Sequence, residues 1–215
     1  QNQMPASLSG AVGLLFDTIG PDLPFVQKAL FANQWLFKGL IIGQLSKKNT
    51  TNAMIRTTTA PTIMSGGVKE NVLPSKAHAL VNFRILPGDT VSDVVTHAKN
   101  VIDDPNVQIT IHGRVSREAS PISSTDSFGH SVIKKTIYQI FPGTSVTPGL
   151  VTGGTDSKHY ASIADDCYRF IPVIFDPSTP QRIHGTDERI DIKGYVKSIQ
   201  YYIQLMQNVG NSIEN

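Results

Sequence analysis

The chain has a single cysteine, Cys167, among its 215 residues. One thiol cannot form a disulfide within the chain, and its position in a predicted strand favours a small packing residue over a catalytic nucleophile. The sequence also has no Gly-x-Ser-x-Gly segment, the strained turn on which many hydrolases place a serine nucleophile. These two gaps argue against both cysteine and serine hydrolases.

Dense charge clusters and long apolar runs are missing as well. The chain has 19 basic and 17 acidic residues, a formal net charge of +2, spread without the Lys/Arg clustering that nucleic acid requires. The most apolar stretch, residues 23–45, is interrupted well short of the roughly 20 apolar residues of a membrane span. No basic segment followed by an apolar stretch opens the chain, so no signal peptide is expected. We therefore expect no nucleic-acid partner and no membrane partner.

A complete metal-binding motif is also lacking. A hydrolytic zinc ion needs about three protein ligands and a water, yet no His-x-Asp, His-Glu-x-x-His or adjacent Glu pair occurs. One histidine does stand out. His184 follows the apolar run of residues 168–175 and precedes a helix predicted to open at Asp191, and side chains beyond the carboxyl end of a strand face the ligand crevice of an α/β sheet. Gly153 and Gly154 form a similar junction, so the sequence predicts half of a site.

The first part of the chain, residues 1–113, has a mixed helical and alternating pattern. Helical periodicity predicts two helices over residues 7–45, with a break at Gly20 and Pro21. Further elements are predicted as a strand at 54–65, a strand at 78–86, a helix opened by a Thr90 and Asp93 capping box, and a strand at 107–111. This order indicates an α+β unit that matches most of a ferredoxin-like fold.

The second part, residues 114–215, follows a polar, turn-forming segment at 114–125 that we interpret as a domain crossing. Its predicted elements are a helix at 127–141, a strand at 144–151, a helix at 156–163, a strand at 167–175 and a helix at 192–207. This alternation is typical of a layered α/β sheet. The apolar stripe of the last helix needs a wider sheet than two strands supply.

Four sequence motifs, in the order in which they occur, resemble those of the di-zinc aminoacylase and carboxypeptidase family, most closely its carboxypeptidase S-like branch. They are SGGVKENVLP at 65–74, VNFRILPGD at 81–89, GGTDS at 153–157 and IHGTDE at 183–188. The resemblance runs from about residue 53 to residue 209. It implies a ferredoxin-like lid and dimerisation domain over 1–113, incomplete at its start, and the carboxyl-terminal part of an α/β zinc-hydrolase domain over 114–215.

The resemblance also implies roles for particular residues. His184 matches the family's last zinc ligand in a site of two zinc ions, Asn71 and Arg84 match residues that bind the substrate carboxylate or line the dimer face, and Gly153 and Gly154 match a substrate loop. The implied activity is hydrolysis of the amide bond of peptides or N-acyl amino acids by metal-activated water. The family's other metal ligands and its general base have no counterpart here, so we expect this chain alone to be inactive and not to retain zinc.

Each assignment has an alternative from the residues themselves. Asn71 could cap a turn, Arg84 could lie on a solvated sheet face, and the two glycines could form a helix entry capped by Thr155 or Asp156. The implied partners are the peptide or N-acyl amino acid substrate and a second copy bound through the lid. The competing function is a non-catalytic dimerisation or binding module derived from the same family.

Overall fold

The computed structural model describes residues 2–113, 117–176 and 178–213. The chain divides into two units, residues 1–122 with 147–154 and residues 123–146 with 155–215. The expected crossing at 114–125 includes residues 114–116, which lie outside the described residues. No helix of the described ranges is both long and apolar enough to cross a membrane.

Four helices open the first unit. They are α1 (Ala11–Ile19), α2 (Phe25–Ala32), α3 (Gln34–Leu45) and α4 (Asn49–Ile55), with a 3-10 turn at Gly20–Asp22 after α1. The break predicted at Gly20 and Pro21 is confirmed, but the prediction of two helices over residues 7–45 was wrong. A second break falls at Asn33, whose φ of −120° and ψ of 46° leave the helical region and separate α2 from α3.

The core of this unit lies between its helices. Its buried members are Leu8, Val12, Phe16, Ile41 and Ile55. The Phe16 ring stacks on Phe31 with 4.4 Å between the ring centroids, which fixes α2 against α1. The apolar spacing noted in the sequence thus supplies one face of each helix to a common core.

A β-hairpin follows, formed by β1 (Thr58–Gly66) and β2 (Ala77–Arg84), which pair antiparallel from Thr58 with Arg84 to Gly66 with Ala77. The register is irregular between Pro61 and Ile63, as expected where a proline lacks the N–H that a ladder requires. The strand predicted over 78–86 is confirmed at β2. The strand predicted from Met54 begins later, because residues up to Ile55 belong to α4.

Helix α5 (Val91–Ile102) begins with the predicted capping box. The Thr90 hydroxyl accepts from the Asp93 N–H at 3.1 Å, and the Asp93 carboxylate accepts from the Thr90 hydroxyl at 2.7 Å and from the Thr90 N–H at 2.8 Å. The bond from the hydroxyl first, and that from the N–H second, hold the pKa of Asp93 below its ordinary value. The strand predicted at Val107, Ile109 and Ile111 is not formed: within the described residues the sheet has two strands only. The structure therefore supports an α+β fold with a small sheet, while the ferredoxin-like detail stays a prediction.

The second unit is built on α6 (Phe128–Ile140) and α8 (Ile192–Ile213), which pack together and confirm the helices predicted near them. Ser127 caps α6 by accepting from the His130 N–H at 3.2 Å. Between the helices lie Val132, Ile137 and Tyr201, and a polar link in which Asn208 Nδ2 donates to Thr136 Oγ1 at 2.8 Å.

The α/β alternation predicted for this part of the chain is only partly present. Residues 144–151 and 167–175 run without a strand ladder in the described chain, and the helix predicted over 156–163 is a 3-10 turn, Asp156–His159. A short helix, α7 (Thr179–Arg182), precedes α8. An extended segment becomes a strand only when a neighbour satisfies its main-chain donors and acceptors, and neither segment has such a neighbour among the described residues.

Replacing Thr57 with valine should lower the free energy of unfolding by about 1–3 kcal/mol. Thr57 is 1% exposed; its hydroxyl accepts from the Leu86 N–H at 2.9 Å and donates to Asp89 Oδ2 at 2.5 Å. Valine keeps the shape but leaves the buried N–H of Leu86 without an acceptor. Urea unfolding measures the change, and Thr62→Val on exposed β1 is the matched control, expected within about 0.5 kcal/mol of the parent. Equal stability of the two variants would contradict the account.

Replacing Tyr201 with phenylalanine should reduce the fall in the free energy of unfolding at high pH. Tyr201 is buried, its hydroxyl has no hydrogen-bond partner in the part of the chain that the structure describes, and burial raises its pKa to about 12, with a smaller contribution from Tyr202. Below pH 10 the phenol is neutral in both states; between pH 10 and 12 only the unfolded chain ionises, so stability falls as pH rises.

The measurement is urea unfolding of the parent and Tyr201→Phe at pH 8 and pH 11. We expect the variant to be at least as stable as the parent at pH 8 and to lose less stability at pH 11. The control is Tyr138→Phe, because Tyr138 is half-exposed on α6. A Tyr201→Phe variant with the same alkaline loss as the parent would show that the hydroxyl is solvated.

Candidate functional site

Arg84 ends β2, opposite Thr58 of β1. Its side chain is exposed, and within the described residues it takes part in neither an ion pair nor a hydrogen bond. A guanidinium with five donors and no acceptor in reach is suited to a carboxylate from outside the chain. A position on a solvated sheet face would explain the exposure of Arg84 equally well. The residues around Arg84 distinguish the two interpretations.

The neighbour of Arg84 is the double-glycine segment. A Cβ placed on Gly154 would lie 3.5 Å from Arg84 Nη1, so the guanidinium rests against the bare main chain of this glycine. A Cβ on Gly153 would meet nothing within 4 Å. The structure thus brings together two of the predicted substrate-binding positions, 70 residues apart in the chain, and distinguishes the glycine beside Arg84 from the one that faces open space.

The glycine segment is not a capped helix entry. Thr155 stands at the start of the 3-10 turn Asp156–His159 without a side-chain capping bond, and its hydroxyl instead lies 2.5 Å from the Ser157 hydroxyl. Arg169 Nε donates to that same Ser157 oxygen at 2.5 Å. Among the alternatives raised from the sequence, neither Thr155 nor Asp156 acts as a cap.

Asn71 lies in the loop between β1 and β2. The Val72 N–H donates to the Lys69 carbonyl at 3.3 Å, which closes a turn around Asn71, and the Asn71 side chain is exposed. Within the described chain its amide makes no hydrogen bond, so it neither caps the turn nor contacts Arg84 through one. Its amide is available to a ligand or a partner.

His184 follows α7 in the second unit and is exposed. Its φ of 61° is in the left-handed region, which residues with a Cβ adopt at an energetic cost, and the Gly185 N–H donates to the Arg182 carbonyl at 2.8 Å across it. A tight turn therefore presents the imidazole on the surface of this unit.

A polar cluster that the sequence analysis missed supports the His184 turn. Asp176 accepts from the Ser178 N–H at 2.7 Å and from its hydroxyl, and it pairs with Arg182 at 3.0 Å. These bonds, the Ser178 hydroxyl first and Arg182 second, hold the pKa of Asp176 far below its ordinary value. The sequence contained a signal for this cluster, because an Asp side chain commonly accepts a hydrogen bond from the backbone two residues later in an Asx turn.

The residues near His184 do not by themselves form a metal site. Among the residues described, no three His, Cys, Asp or Glu side chains are grouped so that they could hold an ion. Asp187, three residues after His184, is paired with Arg189, and this contact lowers the pKa of Asp187. Over the described ranges, His184 therefore lacks the companion ligands with which it could hold a hydrolytic metal ion.

Comparison with known proteins gives independent evidence on the family of this chain. The profile of the peptidase dimerisation domain matches residues 27–110. A probable carboxypeptidase S-like protein of Dictyostelium discoideum is 38% identical over 97% of this chain and 40% of its own length. The human N-fatty-acyl-amino acid synthase/hydrolase PM20D1 is 36% identical over 100% of this chain and 43% of its own length.

The chain belongs to the M20 peptidase family, in its carboxypeptidase S-like branch. Carboxypeptidase S of Saccharomyces cerevisiae is also similar, with 28% identity over 80% of this chain. The chain spans about two fifths of the length of the curated relatives it matches, from 40% to 43% for those with 97% coverage or more. No solved structure matches it. These matches confirm the family that the four sequence motifs indicated.

Proposed function

We propose that this M20 chain supplies the ferredoxin-like lid and dimerisation domain, residues 1–113, and the carboxyl-terminal part of the α/β catalytic domain, residues 114–215, of a zinc-dependent amide hydrolase. The substrates are peptides or N-acyl amino acids. The contact of Arg84 with Gly154 carries this proposal, because it joins a strand-end cation to a segment without side chains and so leaves space for a carboxylate.

The proposed division of labour follows from the described residues. Arg84 binds the carboxylate of the amino acid portion, the main chain at Gly153 and Gly154 lies along the substrate, and the free amide of Asn71 contacts the substrate or the partner subunit. His184 supplies one nitrogen to the two-zinc centre of the longer protein. The other ligands and the base are not grouped among the residues described, so the chain alone is expected to be inactive.

The surfaces of the second unit support its place in a larger sheet domain. The apolar stripe of α8 is exposed, with Ile192 80% and Met206 66% exposed. Ser198 of α8 donates to the Pro172 carbonyl at 2.6 Å, so the extended segment 167–175 already lies along this helix. Further strands of the longer protein would pair with that segment and extend the layer beneath α8.

The test compares the 215-residue chain with a longer protein that includes the upstream catalytic segment. Both are given a panel of N-acyl amino acids and dipeptides, and release of the free amino acid is measured with and without EDTA. We expect EDTA-sensitive release by the longer protein and none by the chain alone. A longer, folded protein without activity across the panel would overturn the hydrolase proposal.

The glycine pair offers a sharper variant test in the longer protein. Gly154→Val should lower kcat/KM by about 10- to 100-fold, because its methyl groups would displace the Arg84 guanidinium, and misplacement of a binding group by about 1 Å is costly. Gly149→Val is the matched control, since a side chain there also meets open space and Gly149 has no assigned role. Equal losses in both variants would show that the contact with Arg84 does not set substrate binding.

A dimerisation or binding module is the second candidate function. The dimerisation-domain match and the exposed hairpin of β1 and β2 favour it, because uncovered strand edges can pair with a second copy. Sedimentation of the isolated chain decides the matter. A concentration-dependent dimer is expected, and a strict monomer at high concentration would remove this candidate.

A further inference from the structure

The turn that carries His184 is of a recognisable type. Ile183 has a φ of −59° and a ψ of 124°, and His184 has a φ of 61°. The Gly185 N–H donates to the Arg182 carbonyl at 2.8 Å, which closes the turn. These are the features of a type II turn with His184 at its third position, where the positive φ favours glycine. A histidine persists at such a position only when surrounding contacts hold the turn.

Arg182 is held through both its main chain and its side chain. A Cβ on Gly185 would lie 3.1 Å from the Arg182 carbonyl oxygen, so this glycine permits an approach that a larger residue would obstruct. Arg182 Nη2 donates to Asp176 Oδ2 at 3.0 Å and to Thr179 Oγ1 at 3.2 Å, and Nη1 donates to the Ser178 hydroxyl. The residue that closes the turn is therefore bound to three acceptors by its guanidinium.

The three acceptors also hold one another. The Ser178 N–H donates to the Asp176 carboxylate at 2.7 Å. The Asp176 N–H donates to Thr179 Oγ1 at 3.1 Å, and the Thr179 N–H returns a bond to the Asp176 carbonyl at 3.0 Å. Because these bonds fix the acceptors, they also fix the guanidinium that binds them.

The two ion pairs that flank His184 differ in their exposure to water. The side chain of Arg182, paired with Asp176, is 18% exposed, whereas that of Arg189, paired with Asp187, is 60% exposed. An exposed pair is screened by solvent and contributes little, while a shielded guanidinium with several charge-assisted bonds holds its geometry. The turn is therefore anchored on the side of Arg182.

We propose that Arg182 is the positioning residue of His184. Its guanidinium, bound to the acceptors on Asp176, Ser178 and Thr179, fixes the carbonyl that closes the turn, and the turn sets the direction of the imidazole. A side chain that is ordered in advance loses less conformational entropy when it binds. This inference rests on the proposed function in one respect, that His184 binds a metal ion of the longer protein.

The turn is tested first without any metal. Hydrogen exchange of the Gly185 amide is measured by NMR in the metal-free 215-residue chain. Arg182→Met should speed this exchange by about tenfold, because a bond to a charged group is lost and the turn opens more often. The matched control is Arg189→Met, which removes the exposed ion pair and should leave the exchange unchanged.

The second measurement is the zinc affinity of the longer protein, determined by competition with a chelator. Arg182→Met should weaken the affinity by about 10- to 100-fold, as is usual for residues that orient a metal ligand. Arg189→Met should not change it. Asp176→Asn keeps an oxygen that can accept from Ser178 and from Arg182, so this variant should retain more zinc affinity and more Gly185 protection than Asp176→Ala.

His184→Asn, measured in parallel, separates the two hypotheses. If His184→Asn weakens zinc binding and Arg182→Met does not, the positioning role is wrong and the proposed function stands. If His184→Asn leaves zinc binding unchanged, the histidine is not a ligand, and the proposed function fails at this residue together with the inference. Equal Gly185 exchange in Arg182→Met and Arg189→Met would also overturn the positioning role.

Discussion

Replacing His184 with asparagine in the longer protein is expected to lower EDTA-sensitive hydrolysis of N-acyl amino acids by at least about 100-fold, because changes to groups that only support a ligand already cost 10- to 100-fold. Asparagine is the informative substitution. His184 has a φ of 61°, and asparagine tolerates this left-handed conformation better than alanine does. The variant therefore removes the imidazole while keeping the turn.

Zinc content gives the second readout of this prediction. The parent should hold two zinc ions per chain according to the proposed function, and His184→Asn should hold less. His159→Asn is the control, because His159 is an exposed histidine of the same unit without an assigned role. Full activity and full zinc content in His184→Asn would exclude the histidine as a ligand.

Replacing Arg84 with alanine should raise KM for carboxylate-bearing substrates by about 10- to 100-fold with a smaller change in kcat. A hydrogen bond to a charged group contributes about 1.5–3 kcal/mol, and the guanidinium has no competing partner within the described chain. Arg84→Lys should restore only part of the binding, since lysine does not offer two parallel donors.

The substrate itself supplies the control for this prediction. A carboxamide analogue lacks the charge that Arg84 binds, so the parent and Arg84→Ala should hydrolyse it with similar kcat/KM. Lys99→Gln, on α5 in the same unit, should leave both substrates unaffected. If Arg84→Ala impaired the carboxylate and the carboxamide equally, its role would be structural.

The elements that sequence periodicity predicted well are those with local causes. The alternation over 78–86 corresponds to β2, and Thr90 and Asp93 form the capping box of α5. Both features were predictable because a hairpin strand and a helix cap depend only on nearby residues. Two residues that the family motifs assigned to substrate binding, Arg84 and Gly154, also lie side by side in the structure. That contact was not readable from spacing.

The elements predicted less well depend on distant partners. The segments 107–111, 144–151 and 167–175 have strand-like composition but no ladder in the described residues, because composition favours an extended backbone without providing the neighbour that makes it a strand. The break at Asn33 likewise depends on packing of α2 and α3 on a common core. The proposed lid and catalytic boundaries remain predictions for this reason.

The most direct test of the account is anomalous diffraction at the zinc edge from crystals of the longer protein with an N-acyl amino acid bound. We expect a zinc peak about 2.0–2.1 Å from a nitrogen of His184, and the ligand carboxylate on Arg84 beside Gly154. A zinc centre that does not include His184, with the carboxylate bound away from Arg84, would contradict the account.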